Sequence, residues 1–222
     1  MKRNVVLTSM FALVSTSASL AAQAVAGLDV PSESELRIGV IFAPTQRNYV
    51  YGGSVSSGQG SIIGGEILAR TKWVGLGARI QTGTYTEQLK IINGDIWIVA
   101  GHPALSLEGG FSRRAATNEV ATQQYSFARL GARLTLRIGG SGLRASFGAW
   151  QYLAIGNDAS RLTGGREGET QLIYTLASAP IYFMLGYRAE TFTTRALSVL
   201  ASTLPEEVHG LRLGAGLQWG GR

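Results

Sequence analysis

Ala128-Arg-Leu-Gly-Ala-Arg-Leu-Thr-Leu-Arg137 is the stretch that decides how this chain folds. Ala128, Leu130, Ala132, Leu134 and Leu136 take every second position, and Arg129, Gly131, Arg133, Thr135 and Arg137 fill the gaps. A strand turns successive side chains to opposite faces, so this spacing places every apolar group on one face and every arginine on the other. Wound as a helix, the same residues would mix the two classes around the axis. The stretch is therefore a strand whose apolar face carries no charge.

The same period recurs on both sides of it. Leu36, Ile38, Val40 and Phe42 alternate with Arg37, Gly39, Ile41 and Ala43, and Val74, Leu76, Ala78 and Ile80 with Gly75, Gly77, Arg79 and Gln81. Leu105, Leu107, Gly109 and Phe111 oppose Ser106, Glu108, Gly110 and Ser112, and Leu143 to Trp150 and Ile181 to Glu190 behave alike. Ser61–Arg70, Leu89–Ala100 and Glu169–Ser178 are less regular but still strand-like. About ten strands result, with eight or twelve open if the irregular segments are misread, each long enough for a tilted membrane crossing.

The connections alternate in length. Thr45–Gly60, Arg114–Gln124, Ala154–Gly168 and Phe192–Glu206 read as long and polar, the last with a short helix at Arg195–Thr203, and Gly83–Gln88 as moderate. Thr71-Lys72, Gly101-His102, Gly139–Gly142 and Ala179-Pro180 read as tight turns. An even-stranded antiparallel barrel with both termini on its short-turn side requires this pattern, whereas Greek-key sandwiches scatter their loop lengths. The expected fold is all-β: an antiparallel up-and-down barrel.

Alternation alone fits both a membrane barrel and a soluble ligand-binding one. The apolar faces are almost free of charge, and the polar faces carry Gly, Ser and Arg where a soluble surface would be rich in Lys and Glu. Phe42, Trp73, Phe111, Tyr125 and Trp219 lie near strand ends, where rings mark membrane interfaces. These features favour a transmembrane barrel, with a soluble periplasmic ligand-binding barrel as the alternative.

The N-terminus points the same way. Lys2 and Arg3 precede an uncharged stretch from Val5 to Leu20, and Ala22-Gln23-Ala24 supplies the small-x-small pattern of a cleavage site. Serines and threonines break that stretch, which makes it a poor permanent span, and no later segment has the roughly 18–20 unbroken apolar residues of a membrane helix. The expected organisation is a cleaved signal over residues 1–24, an N-terminal segment over 25–34 and a barrel over 35–222. The formal charge of +6 suggests nucleic acid, but the lysines are only Lys2, Lys72 and Lys90 and no basic cluster is interleaved with aromatics, so nucleic-acid binding is not expected.

Leu211-Arg-Leu-Gly-Ala-Gly-Leu-Gln-Trp219 resembles the C-terminal strand of Gram-negative outer-membrane β-barrel proteins, with Leu211, Leu213, Leu217 and Trp219 as its apolar and aromatic positions. Gly220-Gly221-Arg222 follow the aromatic, where that class of proteins usually ends on it. With the signal and the loop alternation, the resemblance covers nearly the whole chain, at the level of architecture and not of one family. It implies residence in the outer membrane, with outer-membrane lipids and the barrel-assembly machinery as partners.

The inward polar set is Arg37, Arg79, Arg129, Arg133, Arg144, Arg188 and Arg212 with Glu66, Asp95, Glu108 and Glu190. In a lumen this narrow the charges must pair, so a network that plugs the barrel is expected, or else an arginine-lined passage for anions. Catalysis finds little support. The chain has no cysteine, and its histidines are His102, at a turn, and His209, near Glu206 and Glu207, where a loop-side dyad is conceivable. A barrel enzyme of the outer leaflet, hydrolysing lipid or peptide, is the alternative to a non-enzymatic, structural or narrow-pore barrel with long extracellular loops. No metal-ligand spacing or cofactor motif is present.

Overall fold

The computed structural model describes residues 34–51, 54–86, 88–117, 119, 122–139, 142–155, 162–194 and 204–220. The expected signal, with Ala22 and Ala24, and the helix expected at Arg195–Thr203 lie outside the described residues.

The described residues form ten strands: β1 (Glu35–Tyr51), β2 (Ser54–Arg70), β3 (Val74–Tyr85), β4 (Lys90–His102), β5 (Leu105–Thr117), β6 (Thr122–Ile138), β7 (Leu143–Ile155), β8 (Leu162–Thr175), β9 (Ile181–Thr194) and β10 (Leu204–Gly220). Each pairs antiparallel with its sequence neighbours, and β1 pairs with β10 to close the barrel. Closure satisfies the backbone donors and acceptors that a free edge would leave open.

The register fixes the barrel's shape. Stepping from partner to partner, Arg37 leads through Leu68, Gly77, Trp97, Gly110, Arg129, Tyr152, Gly165, Phe192 and Glu206 back to Tyr49 on β1, twelve residues above the start. Ten strands with that offset tilt by about 40° around a Cα radius of about 10 Å. A lumen of this radius is filled by side chains and not by bulk water.

Outside, the expected apolar positions form a continuous belt. Val40, Leu76, Ile80, Ile96, Ile98, Leu107, Phe111, Leu130, Phe183, Leu185, Leu213 and Leu217 are all exposed. On β10 the belt runs from Leu211 to Trp219, roughly 20 Å at this tilt, close to the apolar band of a membrane barrel. Above it the outer face changes character at Ser61, Thr82, Arg113, Gln151, Arg166 and His209.

Two expectations are corrected here. Thr45–Gly60 is strand almost throughout, with Tyr51 paired to Ser54, and β5, β6, β8, β9 and β10 also extend into segments read as long loops. Beyond the belt both faces of a strand meet water, so the outer residues become polar, the alternation disappears, and a strand acquires the composition of a loop. Tyr125 does not join an interfacial ring. It faces inward and packs on the buried cluster of Phe127, Tyr152 and Phe192 at the loop end of the lumen. Phe42, Trp73, Phe111 and Trp219 are on the outside.

Candidate functional site

The lumen is crossed by ionic tiers, and three of them span from one wall to another. The lowest lies at the end where β1 begins and β10 ends. Arg144 on β7 reaches Glu35 on β1 at 3.5 Å and donates to Gln218 on β10, which also accepts from Thr175 at 3.1 Å. Above it, Arg37 approaches Glu66 at 3.5 Å, Arg133 donates to Glu108 at 2.7 Å, and Arg212 pairs with Glu169. Arg212 also approaches Glu66, and Arg133 approaches Glu169, each at 3.8 Å.

The second wall-to-wall tier converges on Glu167, which has no solvent exposure. Arg188 lies 2.9 Å away, Arg129 3.4 Å and Arg79 3.9 Å, and the Tyr152 hydroxyl donates to the same carboxylate. Arg79 is on β3 and Glu167 on β8, five strands apart in a ten-strand ring and therefore on opposite walls. Arg79 also donates to Asp95 at 2.7 Å, which Ser112 holds from the other side, and Arg188 pairs with Glu190 and donates to Gln81 at 3.1 Å.

The third such tier is at the loop end. Arg114 on β5 and Arg47 on β1 both reach Glu206 on β10 at 3.0 Å, and Arg114 approaches Glu190 at 3.9 Å. Burial pushes the Glu206 carboxyl up in pKa, but Arg114 and Arg47 more than offset this and hold it below the usual carboxylate value. Between the upper tiers a cavity of about 20 Å³ remains, lined in part by Thr45, Gln81, Asn93, Arg188, Glu190 and Arg212. That is room for one water-sized guest.

Aromatic rings complete the packing. Trp150 donates its indole N–H to Glu108 at 3.0 Å, and the guanidinium carbons of Arg129 and Arg133 lie 4.2 and 4.9 Å from its ring centroid. Arg129 also sits 5.6 Å from the Trp97 centroid. The rings lie flat on the wall because the residues beneath them are glycine. A Cβ at Gly77 would overlap Trp97, and one at Gly131 or Gly148 would overlap Trp150. Cation–π stacking and ion pairing together give each buried guanidinium a partner that water would otherwise supply.

All of the arginines and carboxylates expected to face inward are therefore in contact with an opposite charge inside the barrel. Sequence reasoning missed Glu35, Arg47, Arg114, Glu167, Glu169 and Glu206. For Glu167 and Glu169 a signal existed, since Gly165, Glu167, Glu169, Gln171 and Ile173 alternate with Arg166, Gly168, Thr170, Leu172 and Tyr174. Reading Ala154–Gly168 as a loop hid Glu167 and began the strand only at Glu169, which cut the alternation short.

The histidines are elsewhere. His102 ends β4, accepts from the Ala104 N–H at 3.3 Å and lies 5.7 Å from the Trp73 ring. His209 is on the outer face and shares a 3.0 Å hydrogen bond with the Tyr187 hydroxyl, whereas Glu206 points inward to the arginines. A dyad of His209 with Glu206 does not form, because neighbouring residues at odd spacing occupy opposite faces. Among the described residues no cluster of His, Asp and Glu is arranged to hold a metal. Leu211, Leu213, Leu217 and Trp219 all lie on the outer face of β10, where Leu213 pairs with Phe42 and Trp219 with Leu36 on β1.

No protein-family model matches the chain, and no curated sequence does. Solved structures similar to it are outer-membrane barrels. The translocator domain of the autotransporter NalP from Neisseria meningitidis is 13% identical with a TM-score of 0.43, covering 95% of this chain and 96% of that one. The NanC porin is 12% identical with a TM-score of 0.36, covering 83% and 98%. Ail, the attachment invasion locus protein of Yersinia pestis, is 11% identical with a TM-score of 0.29, covering 84% and 99%.

Proposed function

We propose that this chain is a non-enzymatic outer-membrane β-barrel whose lumen is held shut by its own ion pairs, so that it serves as a closed or very narrow wall element and not as a general porin. The observation that carries the reading is the inversion of the molecule. Large apolar side chains are exposed outside, while Arg79, Asp95, Glu108, Arg129, Glu167, Glu169 and Arg212 are buried inside. In water that arrangement would expose an apolar area far beyond what soluble monomers tolerate, and a bilayer removes the cost. The strand extensions above the belt would then project outside the bilayer together with the connections between them.

Export through the N-terminal segment and delivery by the assembly machinery belong to the same proposal, with Leu211, Leu213, Leu217 and Trp219 as the assembly signal. The tiers support closure because each wall-to-wall pair occupies the path a solute would take. The test has two arms. Membrane fractionation should place the protein in detergent-extracted outer membranes, with a heat-dependent shift on gels; recovery in the soluble periplasmic fraction would refute the membrane reading. In planar bilayers the purified barrel should show no steady channels, and a stable conductance of porin size would refute closure alone.

A further inference from the structure

One strand edge runs past its neighbour at the loop end. β2 pairs with β1 along its whole length, up to Ser54 against Tyr51, but with β3 only from Gly60 against Tyr85 downward. The connection after β3 meets β2 once more. Thr86 donates its N–H to the Gln59 carbonyl at 2.9 Å, and the Gln59 N–H donates to the Thr86 hydroxyl at 3.3 Å. Above that point, among the described residues, no strand or turn pairs with residues 54–58 on the side away from β1. An edge of that length is close to an ordinary strand of about 5–6 residues.

The Gln59 bonds fix which backbone groups line this edge. Its N–H and its carbonyl both point toward β3. Backbone groups along a strand alternate in direction with period two, so those of Ser57 and Val55 point the same way, and those of Ser56 and Gly58 turn to β1. The edge therefore presents two donors and two acceptors, from residues about 6.8 Å apart. Val55 is 50% exposed, and Ser57 and Gln59 are exposed as well. Proteins usually guard such an edge with a charge, a proline or a bulge. Ser54-Val-Ser-Ser-Gly-Gln59 has neither charge nor proline, and its pairing with β1 runs without a shift of register.

We propose that this edge of the β1–β2 hairpin is a docking site for an extended segment of another polypeptide, which adds to the sheet as a strand antiparallel to β2. Donors and acceptors alternating at a strand's own repeat are complementary to the backbone of another strand. Main-chain bonds then supply the affinity, and the uncharged Val55, Ser57 and Gln59 favour β-branched and polar side chains opposite them. A second copy of the chain fits less well. Two barrels upright in one membrane run their β2 strands in the same direction, so their edges meet only in parallel, the less stable pairing. That comparison rests on the membrane reading, but the edge itself does not, and neither depends on whether the lumen is shut.

The test uses the folded full-length barrel in detergent and a fluorescent peptide, Thr-Gln-Arg-Asn-Tyr-Val-Tyr, the sequence of residues 45–51 that already pairs antiparallel with β2 at its other edge. Anisotropy should show saturable binding, and the same peptide N-methylated throughout should not bind. By NMR hydrogen exchange, the Val55 and Ser57 amides should exchange fast in the free barrel and slow down when the peptide is added. Ser57→Pro deletes one edge donor and leaves the ladder to β1 in place, so it should weaken binding about three- to tenfold. Val55→Pro with Ser57→Pro should abolish it, and Arg113→Gln, far from the edge on β5, should leave it unchanged. If the proline variants lose the heat-dependent gel shift, Val55→Lys carries the comparison, because it sets a charge beside the edge and keeps the backbone. The proposal is overturned if the peptide does not bind saturably, if the N-methylated form binds equally, or if the edge variants bind as the native barrel does. Slow exchange at Val55 and Ser57 in the free barrel would overturn it too, since another part of the chain would then occupy the edge. A concentration-dependent dimer that Ser57→Pro dissolves would give the edge to a second copy and overturn the choice of partner.

Discussion

Replacing Glu167 by Gln removes one negative charge with almost no change of volume, and the structure says which arginine suffers. Arg79 keeps Asp95 at 2.7 Å and Arg188 keeps Glu190 and Gln81, so both retain an acceptor. Arg129 has Glu167 as its anionic partner among the described residues, and otherwise only the faces of Trp150 and Trp97. The substitution therefore strands one buried guanidinium. Removing one partner of a buried pair costs about 3–5 kcal/mol, most of it the penalty on the charge left behind. The two tryptophans stacked on Arg129 provide the readout, since their fluorescence follows unfolding in guanidinium chloride. Glu167→Gln should shift the midpoint down by that energy, and Glu167→Gln with Arg129→Gln should recover much of it. A loss below about 1 kcal/mol, or a double variant no better than the sum of the singles, would refute the assignment of Glu167 as the hub.

Other expectations are simpler. Gly77→Ala and Gly148→Ala should each cost about 1–3 kcal/mol by overpacking against Trp97 and Trp150, seen as a lower heat-shift temperature on gels. Leu107→Arg, at an outer position 63% exposed near the middle of the belt, should cost about 2–4 kcal/mol in bilayers; a neutral effect would mean that this face meets water. Glu206 has a depressed pKa in the folded state, so its contribution is present above the unfolded value and is lost as pH falls through the lower, folded one. Unfolding curves of the native barrel and Glu206→Gln should therefore differ equally at pH 7 and pH 6 and converge only below about pH 4. His209→Ala should remove the Tyr187 bond and leave folding and bilayer behaviour unchanged, by gel shift and conductance.

The architecture was legible wherever one face of a strand meets an apolar medium and the other does not. Ala128 to Arg137 and Leu211 to Trp219 satisfy that condition along their whole length, and the strand count followed. Outside the belt the contrast vanishes, which is why Arg47, Arg114 and Glu206 were hidden in segments read as loops. Parity alone assigned Arg79, Asp95 and Arg129 to the inner face. It does not say that Arg79 meets Glu167 on the far wall, because that meeting depends on the stagger of all the intervening strands, and no local pattern encodes a stagger. The flat placement of Trp97 and Trp150 was invisible for the same reason: Gly77 and Gly131 come under those rings from neighbouring strands.

The wall-to-wall pairs also set an order of events. Arg114 and Glu206 are 92 residues apart in the sequence, and Arg79 and Glu167 nearly as far, so neither bond forms until the strands between them have paired and brought the two walls face to face. Contacts of such long sequence separation are made late and close large loops. Interactions absent from the transition state slow unfolding without slowing folding. The struts therefore act less as a driving force for assembly than as a ratchet behind it: once β10 has sealed against β1, they lengthen the lifetime of the finished barrel.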